Sequence, residues 1–162
     1  MYDRILLPSD GSAGMTRVID HAGELARIHD ASVHVLYVVD TASLTTMPMD
    51  ASLDGIHGLM QEEGNAAVEE AQRRMPDGVD VDRTVAEGAP AAQIIDCAED
   101  AGCDVIVMGT HGRGGLNRLL LGSVAEHVVR RSSVPVVTVR VGAETETEPE
   151  CGEEPPLTQI DQ

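Results

Sequence analysis

Lysine is absent from all 162 residues, so each of the 11 basic side chains is an arginine. Phenylalanine and tryptophan are absent as well, and Tyr2 and Tyr37 are the whole aromatic content. Without lysine there can be no Walker loop G-x4-G-K-[ST], whose lysine reaches the outer phosphates. No apolar run approaches the roughly eighteen residues that a membrane-spanning helix needs. The opening Met1-Tyr2-Asp3-Arg4-Ile5-Leu6-Leu7-Pro8 is too short and too acidic for a secretory signal, so a cytoplasmic protein is expected. The 3 cysteines, Cys97, Cys103 and Cys151, are odd in number and lack metal-ligand spacing, which argues against a disulfide scaffold or a zinc site. Cys97 and Cys103 are expected to pack as small apolar residues.

What the chain does carry in excess is acid. Against the 11 arginines stand 28 Asp and Glu, a net charge of -17. Such a field repels nucleic acid phosphates and anionic membranes, so neither is expected as a partner. An acidic surface stripped of lysine also fits a cell that balances high external salt with high internal salt, where ions screen the self-repulsion. From Gly142 onward, glutamates and prolines alternate with little that could be buried. Residues 142–162 are therefore expected to form a solvated, disordered tail behind one folded domain of residues 1–141.

Within that domain, strand and helix patterns alternate. Arg4 to Ser9 is a short apolar strand, and helical spacing follows from Ser12 or Gly14 through Met15, Val18, Ile19, Ala22 and Leu25. Ser32 to Val39 is β-branched and nearly continuous, as a strand covered on both faces should be. After a long connection over Asp40 to Asp54, a polar helix is expected from about Gly55 to Met75. Val79 to Ala86 then reads as a strand, and Pro90 as the first residue of a helix ended by Gly102. Asp104 to Met108, Ser123 to Arg131 and Pro135 to Val141 complete the order β-α-β-α-β-α-β-α-β. Short connections of this kind predict an α/β fold, a doubly wound parallel five-stranded sheet with helices on both faces. In the order 3-2-1-4-5, the chain reverses between strands one and four, and ligands bind beyond the carboxyl ends of the strands at such a point.

Two unusual segments lie at that point. One is Pro8-Ser9-Asp10-Gly11-Ser12. The other runs from Gly109 to Ser123 and holds 5 glycines in 15 residues, among them Gly112 and Gly122. Glycine lets backbone N–H groups approach an anion without a Cβ in the way, and Ser123 opens a helix whose N-terminus favours negative charge. Arg113 could add a bidentate contact to phosphate. Asp10 could hold Mg2+ or orient water, or instead cap the helix after Ser12. His111 is expected to be an exposed loop residue rather than a base.

The pattern G-x2-G-x9-G-[ST], met by Gly109, Gly112, Gly122 and Ser123, resembles the nucleotide signature of the universal stress protein family. Ile5 to Ser12, the second strand around Val35 to Val39 and the closing Val134 to Val139 resemble that family too. The resemblance implies a flavodoxin-like or adenine nucleotide hydrolase-like, three-layer α/β/α fold that binds ATP, or AMP or ADP, with Mg2+. It implies that Pro8, Ser9 and Asp10 approach ribose and phosphate, that the Val38 backbone reads adenine, and that Met108 forms an apolar wall. Gly109, Gly112, Gly122, Ser123 and Val124 would take the phosphates, and Arg113 stands where a basic residue often appears in that family, either as a phosphate partner or as a solvated loop residue. It also implies a homodimer paired through the last strand, Val136 to Val141, and a nucleotide-responsive stress or signalling role. A slow ATPase or an autophosphorylating protein is the alternative. An adenylyl-transfer enzyme of the same broad fold would carry S-G-G-x-D-S after the first strand, which Pro8 to Ser12 does not supply.

Overall fold

A computed structural model of the chain describes residues 1–41, 53–112 and 121–141. Nine elements follow one another as β1 (Arg4–Ser9), α1 (Met15–His29), β2 (Ser32–Asp40), α2 (Leu53–Arg74), β3 (Val81–Gly88), α3 (Pro90–Asp100), β4 (Val105–Gly109), α4 (Ser123–Arg131) and β5 (Val136–Val139). The strands form one sheet in the order β3-β2-β1-β4-β5, and every neighbouring pair is parallel. The expected doubly wound architecture is therefore the observed one.

Strand periodicity divides the core into two layers. Ile5 and Leu7 of β1, Val33, Val35, Tyr37 and Val39 of β2, and Val105 and Val107 of β4 pack against α1 and α2. Leu6, Leu36, Ile106 and Met108 point to the other face, where Ile94, Ala98, Ala125 and Val128 of α3 and α4 cover them. Aliphatic side chains fill both layers, so the core needs no phenylalanine or tryptophan. Tyr37 is 7% exposed, and α2 can approach it because residue 64 is glycine; a Cβ there would stand 2.7 Å from Tyr37 Cδ1.

The switch point owes its opening to Pro8. The Arg4 carbonyl accepts from the Asp104 N–H at 2.8 Å, so even-numbered residues of β1 turn their ladder groups toward β4. Pro8 has the same parity and no N–H to donate. The β1–β4 pairing consists of Ile5 with Val105 and Leu6 with Ile106, whereas β1 pairs with β2 all the way to Ser9. Beyond Leu6 the two central strands part, and a crevice opens between them.

Several boundaries differ from expectation for local reasons. β3 starts at Val81 because the Val79 N–H turns back to the Pro76 carbonyl at 3.3 Å, and the ladder begins where the Asp80 carbonyl accepts from Val33. Of the two starts expected for α1, Ser12 and Gly14, the second agrees with the structure, in which Gly14 is the N-cap and Met15 the first helical residue. β5 stops at Val139, because the Val141 N–H bonds to the Thr110 hydroxyl instead of a strand carbonyl. At the start of the sheet, Asp104 Oδ2 accepts from the Asp3 and Arg4 N–H groups at 2.7 and 2.9 Å and fastens β1 to β4.

Candidate functional site

The crevice over the carboxyl ends of β1, β2 and β4 has a volume of about 710 Å³. Its floor on the α3–α4 side is apolar: Leu36 and Val38 from β2, Met108 from β4, Pro90 and Ile94 from α3, and Val124 and Ala125 from α4. A slot of this composition suits a flat, poorly hydrated ring, with a few polar groups at the rim to fix its orientation. Asp40 shares the parity of Val38 and supplies one such group; Met60 and Glu63 of α2 stand on the opposite rim.

On the β1 side, Pro8, Ser9 and Asp10 line the space. Ser9 is 8% exposed, and its hydroxyl oxygen accepts from the Gly11 N–H at 3.3 Å. Gly11 takes φ 70°, which glycine tolerates and which turns the chain out of the strand. Asp10 Oδ1 accepts from the Ser12 N–H at 3.0 Å. Asp10 therefore braces the turn before α1 and does not cap that helix, whose N-cap is Gly14.

On the β4 side, the chain leaves the sheet at Gly109 and passes through Thr110, His111 and Gly112. It returns at Gly122, where the N–H donates to the Thr110 carbonyl at 2.7 Å. α4 then begins at Ser123, with Gly122 as an N-cap in extended conformation. The first intrahelical bond runs from the Glu126 N–H to the Gly122 carbonyl at 2.8 Å, so Ser123, Val124 and Ala125 present their N–H groups beyond the helix end, beside the crevice. The two sides meet at Gly112, where a Cβ would lie 3.1 Å from Asp10 Oδ2.

Pro8, Ser9, Asp10, Val38, Met108, Gly109, Gly112, Gly122, Ser123 and Val124 thus stand around one space. Arg113 lies outside the described residues, as do Gly114, Gly115, the tail and most of the connection after Asp40. The expectation for His111 is corrected. Its imidazole is half-buried, with Nδ1 3.0 Å from Thr110 Oγ1 and Nε2 buried without a partner among the described residues. Asp40, Pro90, Ile94 and Thr110 escaped the sequence, although the period of two in β2 and the proline at the first turn of α3 were available signals.

Asp10, Asp40 and Glu63 line the crevice, and no arginine does among the described residues. No group of three or more metal-ligating side chains occurs among the described residues.

The sheet order and the position of the crevice define a doubly wound, flavodoxin-like α/β protein. Residues 1–140 match the universal stress protein family, and the chain belongs to that family. It is similar to universal stress protein MJ0531 of Methanocaldococcus jannaschii, 38% identical over 141 residues, which span 86% of this chain and 83% of that protein. The solved structure of MJ0577 from the same organism superposes with a TM-score of 0.78 at 30% identity, covering 89% of this chain and 99% of the other. A universal stress protein solved in complex with cAMP aligns with a TM-score of 0.68 at 25% identity, covering 87% and 99%. Among the described residues, no helix is long and apolar enough to cross a membrane.

Proposed function

We propose that this chain binds an adenine nucleotide in the crevice, ATP in preference to AMP or ADP and accompanied by Mg2+, and that it works in the cytoplasm as a nucleotide-responsive stress module. The observation that carries this proposal is the convergence of an apolar slot and an anion-accepting helix end on one crevice, with Asp10 at the junction. Adenine would lie between Val38, Met108 and Ile94, and the Val38 main chain would read its edge. The phosphates would accept from N–H groups of the glycine loop and of Ser123 and Val124. Asp10 would share the Mg2+ and hold the ribose end. A relative that holds cAMP supports the class of ligand. We further propose that two copies pair through β5 and the residues up to Val141, β5 being the last strand of the sheet among the described residues. The lysine-free, acidic composition fits a cell with high internal salt.

Nucleotide released on denaturing the purified protein decides the matter. Recovery of ATP, and its loss in Gly109→Val or Gly122→Val, supports the proposal; the absence of any nucleotide together with no affinity for ATP or AMP refutes it. Hydrolysis is the second reading, favoured by Asp10 standing against Gly112 where Mg2+ and water could meet. Phosphate release that disappears in Asp10→Ala while binding persists would establish it.

A further inference from the structure

Thr110 uses every polar group it has. Its N–H donates to the Val139 carbonyl at 2.9 Å, and its carbonyl accepts from the Gly122 N–H at 2.7 Å. Its hydroxyl oxygen accepts from the Val141 N–H at 3.3 Å and lies 3.0 Å from His111 Nδ1. A hydroxyl has one proton and two acceptor sites. With Val141 on one acceptor site, the proton and the second acceptor site both remain for His111 Nδ1, so this contact forms in either tautomer of the imidazole. One residue therefore joins the end of β5, the limb Gly109–Gly112 that leaves β4 and the N-cap of α4.

Packing reinforces the same joint. The Val141 side chain occupies the space that a Cβ would need at Gly109, where it would come within 2.8 Å of Val141 Cγ2, and a Cβ at Gly14 would overlap Cγ1. The two glycines thus form a socket for Val141, one from the loop and one from the N-cap of α1.

We propose that Thr110 is a positioning residue, its hydroxyl braced against the end of the last strand so that Gly109–Gly112 and the N-terminus of α4 hold the shape that takes phosphate. This rests on the adenine-nucleotide proposal for its ligand, but not for its mechanics. Removing the hydroxyl with Thr110→Val keeps the volume and both backbone bonds, while the Val141 N–H and His111 lose their partner. The effect should fall on the phosphate end of the ligand, because the partners of that hydroxyl are His111 and Val141 rather than the residues of the apolar slot.

The test uses the full chain in high salt, with calorimetric titration of ATP with Mg2+ and of adenosine, and hydrogen exchange on the ligand-free protein. Thr110→Val should lose about tenfold in ATP affinity and change adenosine affinity by less than about twofold. Thr110→Ser should restore ATP binding. In the free protein, the Gly122 and Val141 amides should exchange about tenfold faster in Thr110→Val, with those of β1 and β2 unchanged. Equal losses for ATP and adenosine, an ATP affinity like that of the wild type, or unchanged exchange at Gly122 would each overturn the proposal. If the wild type binds neither compound, the nucleotide proposal fails, and exchange at Gly122 still decides whether Thr110 positions the loop.

Discussion

Gly112 faces Asp10 across the crevice so closely that a Cβ on the glycine would sit 3.1 Å from the Oδ2 of the aspartate. Asp10 cannot retreat freely, since its other oxygen holds the Ser12 N–H at 3.0 Å. Gly112→Ala should therefore push the carboxylate off its position without unfolding the domain, because residue 112 is exposed and outside the core. An affinity loss for ATP of about tenfold is expected, with a change in stability within about 0.5 kcal/mol, as is usual for exposed sites. Calorimetric titration and thermal melting separate the two effects. A variant that binds as the wild type does would show that the two residues do not act on a common ligand.

One substitution made at two places on α2 should change stability in opposite directions. A Cβ at Gly64 would lie 2.7 Å from Tyr37 Cδ1 and 3.0 Å from Val85 Cγ1, both held in the sheet. Gly64→Ala should destabilise the domain by about 1–3 kcal/mol, the usual cost of overpacking. At Gly58, six residues earlier on the same helix, a Cβ would meet nothing within 4 Å. Gly58→Ala should stabilise by about 0.5–1 kcal/mol, through helix propensity alone. Denaturant midpoints of the two variants test this, and a shift of the same sign in both would contradict it.

Whatever the sequence spells through periodicity was readable. The nearly continuous β-branched run from Ser32 to Val39 announced a strand covered on both faces, and the glycine spacing from Gly109 to Ser123 announced a loop at the switch point. The bracing of that loop was hidden, because it depends on long-range partners. Nothing near Thr110 in sequence signals that its hydroxyl will meet the Val141 N–H, and nothing near His111 signals that its ring will be half-buried. Likewise, the role of Pro8 in parting β1 from β4 requires knowing which way its missing N–H points, and that follows only from the register.

His34 gives the protein a pH dependence whose sign follows from its partners. Arg4 Nη2 lies 3.2 Å from His34 Nδ1, and a guanidinium can only donate, so Nδ1 accepts and Nε2 carries the proton toward Thr84 Oγ1 at 2.9 Å. Cys97 Sγ stands 3.9 Å from Nε2, and Asp82 pairs with the same Arg4. Burial, and then the charge of Arg4, lower the His34 pKa below its ordinary 6.5, against an opposing pull from Asp82. A lowered folded pKa means that the unfolded chain binds the proton first, so stability is full above about 6.5 and falls as pH drops toward the folded value. Asp104 adds a second loss at lower pH, because the Asp3 and Arg4 N–H groups hold its carboxyl below the ordinary 3.8. His34→Gln should flatten the first limb of stability against pH, and Asp104→Asn the second. An NMR titration in which His34 protonates at or above 6.5 would be incompatible with this assignment.

Salt should act on this protein with a definite sign as well. The net charge is -17, the acids exposed among the described residues include Asp20 and Glu62, and the arginine pairs on the helix surfaces, such as Arg27 with Glu24 and Arg130 with Glu126, are exposed contacts of small individual value. Self-repulsion among the remaining acids is long-ranged at about 0.1 M salt, where the screening length is about 10 Å, and is confined to near neighbours at about 1 M, where it is about 3 Å. The melting temperature should therefore rise steeply between low salt and molar KCl. Neutralising exposed acids should supply part of what the salt supplies: Asp20→Asn with Glu62→Gln should raise the melting temperature at low salt and reduce its dependence on KCl. A melting temperature indifferent to KCl, or one raised equally in the wild type and the double variant, would mean that charge repulsion does not limit this fold, and the acidic composition would then need another cause.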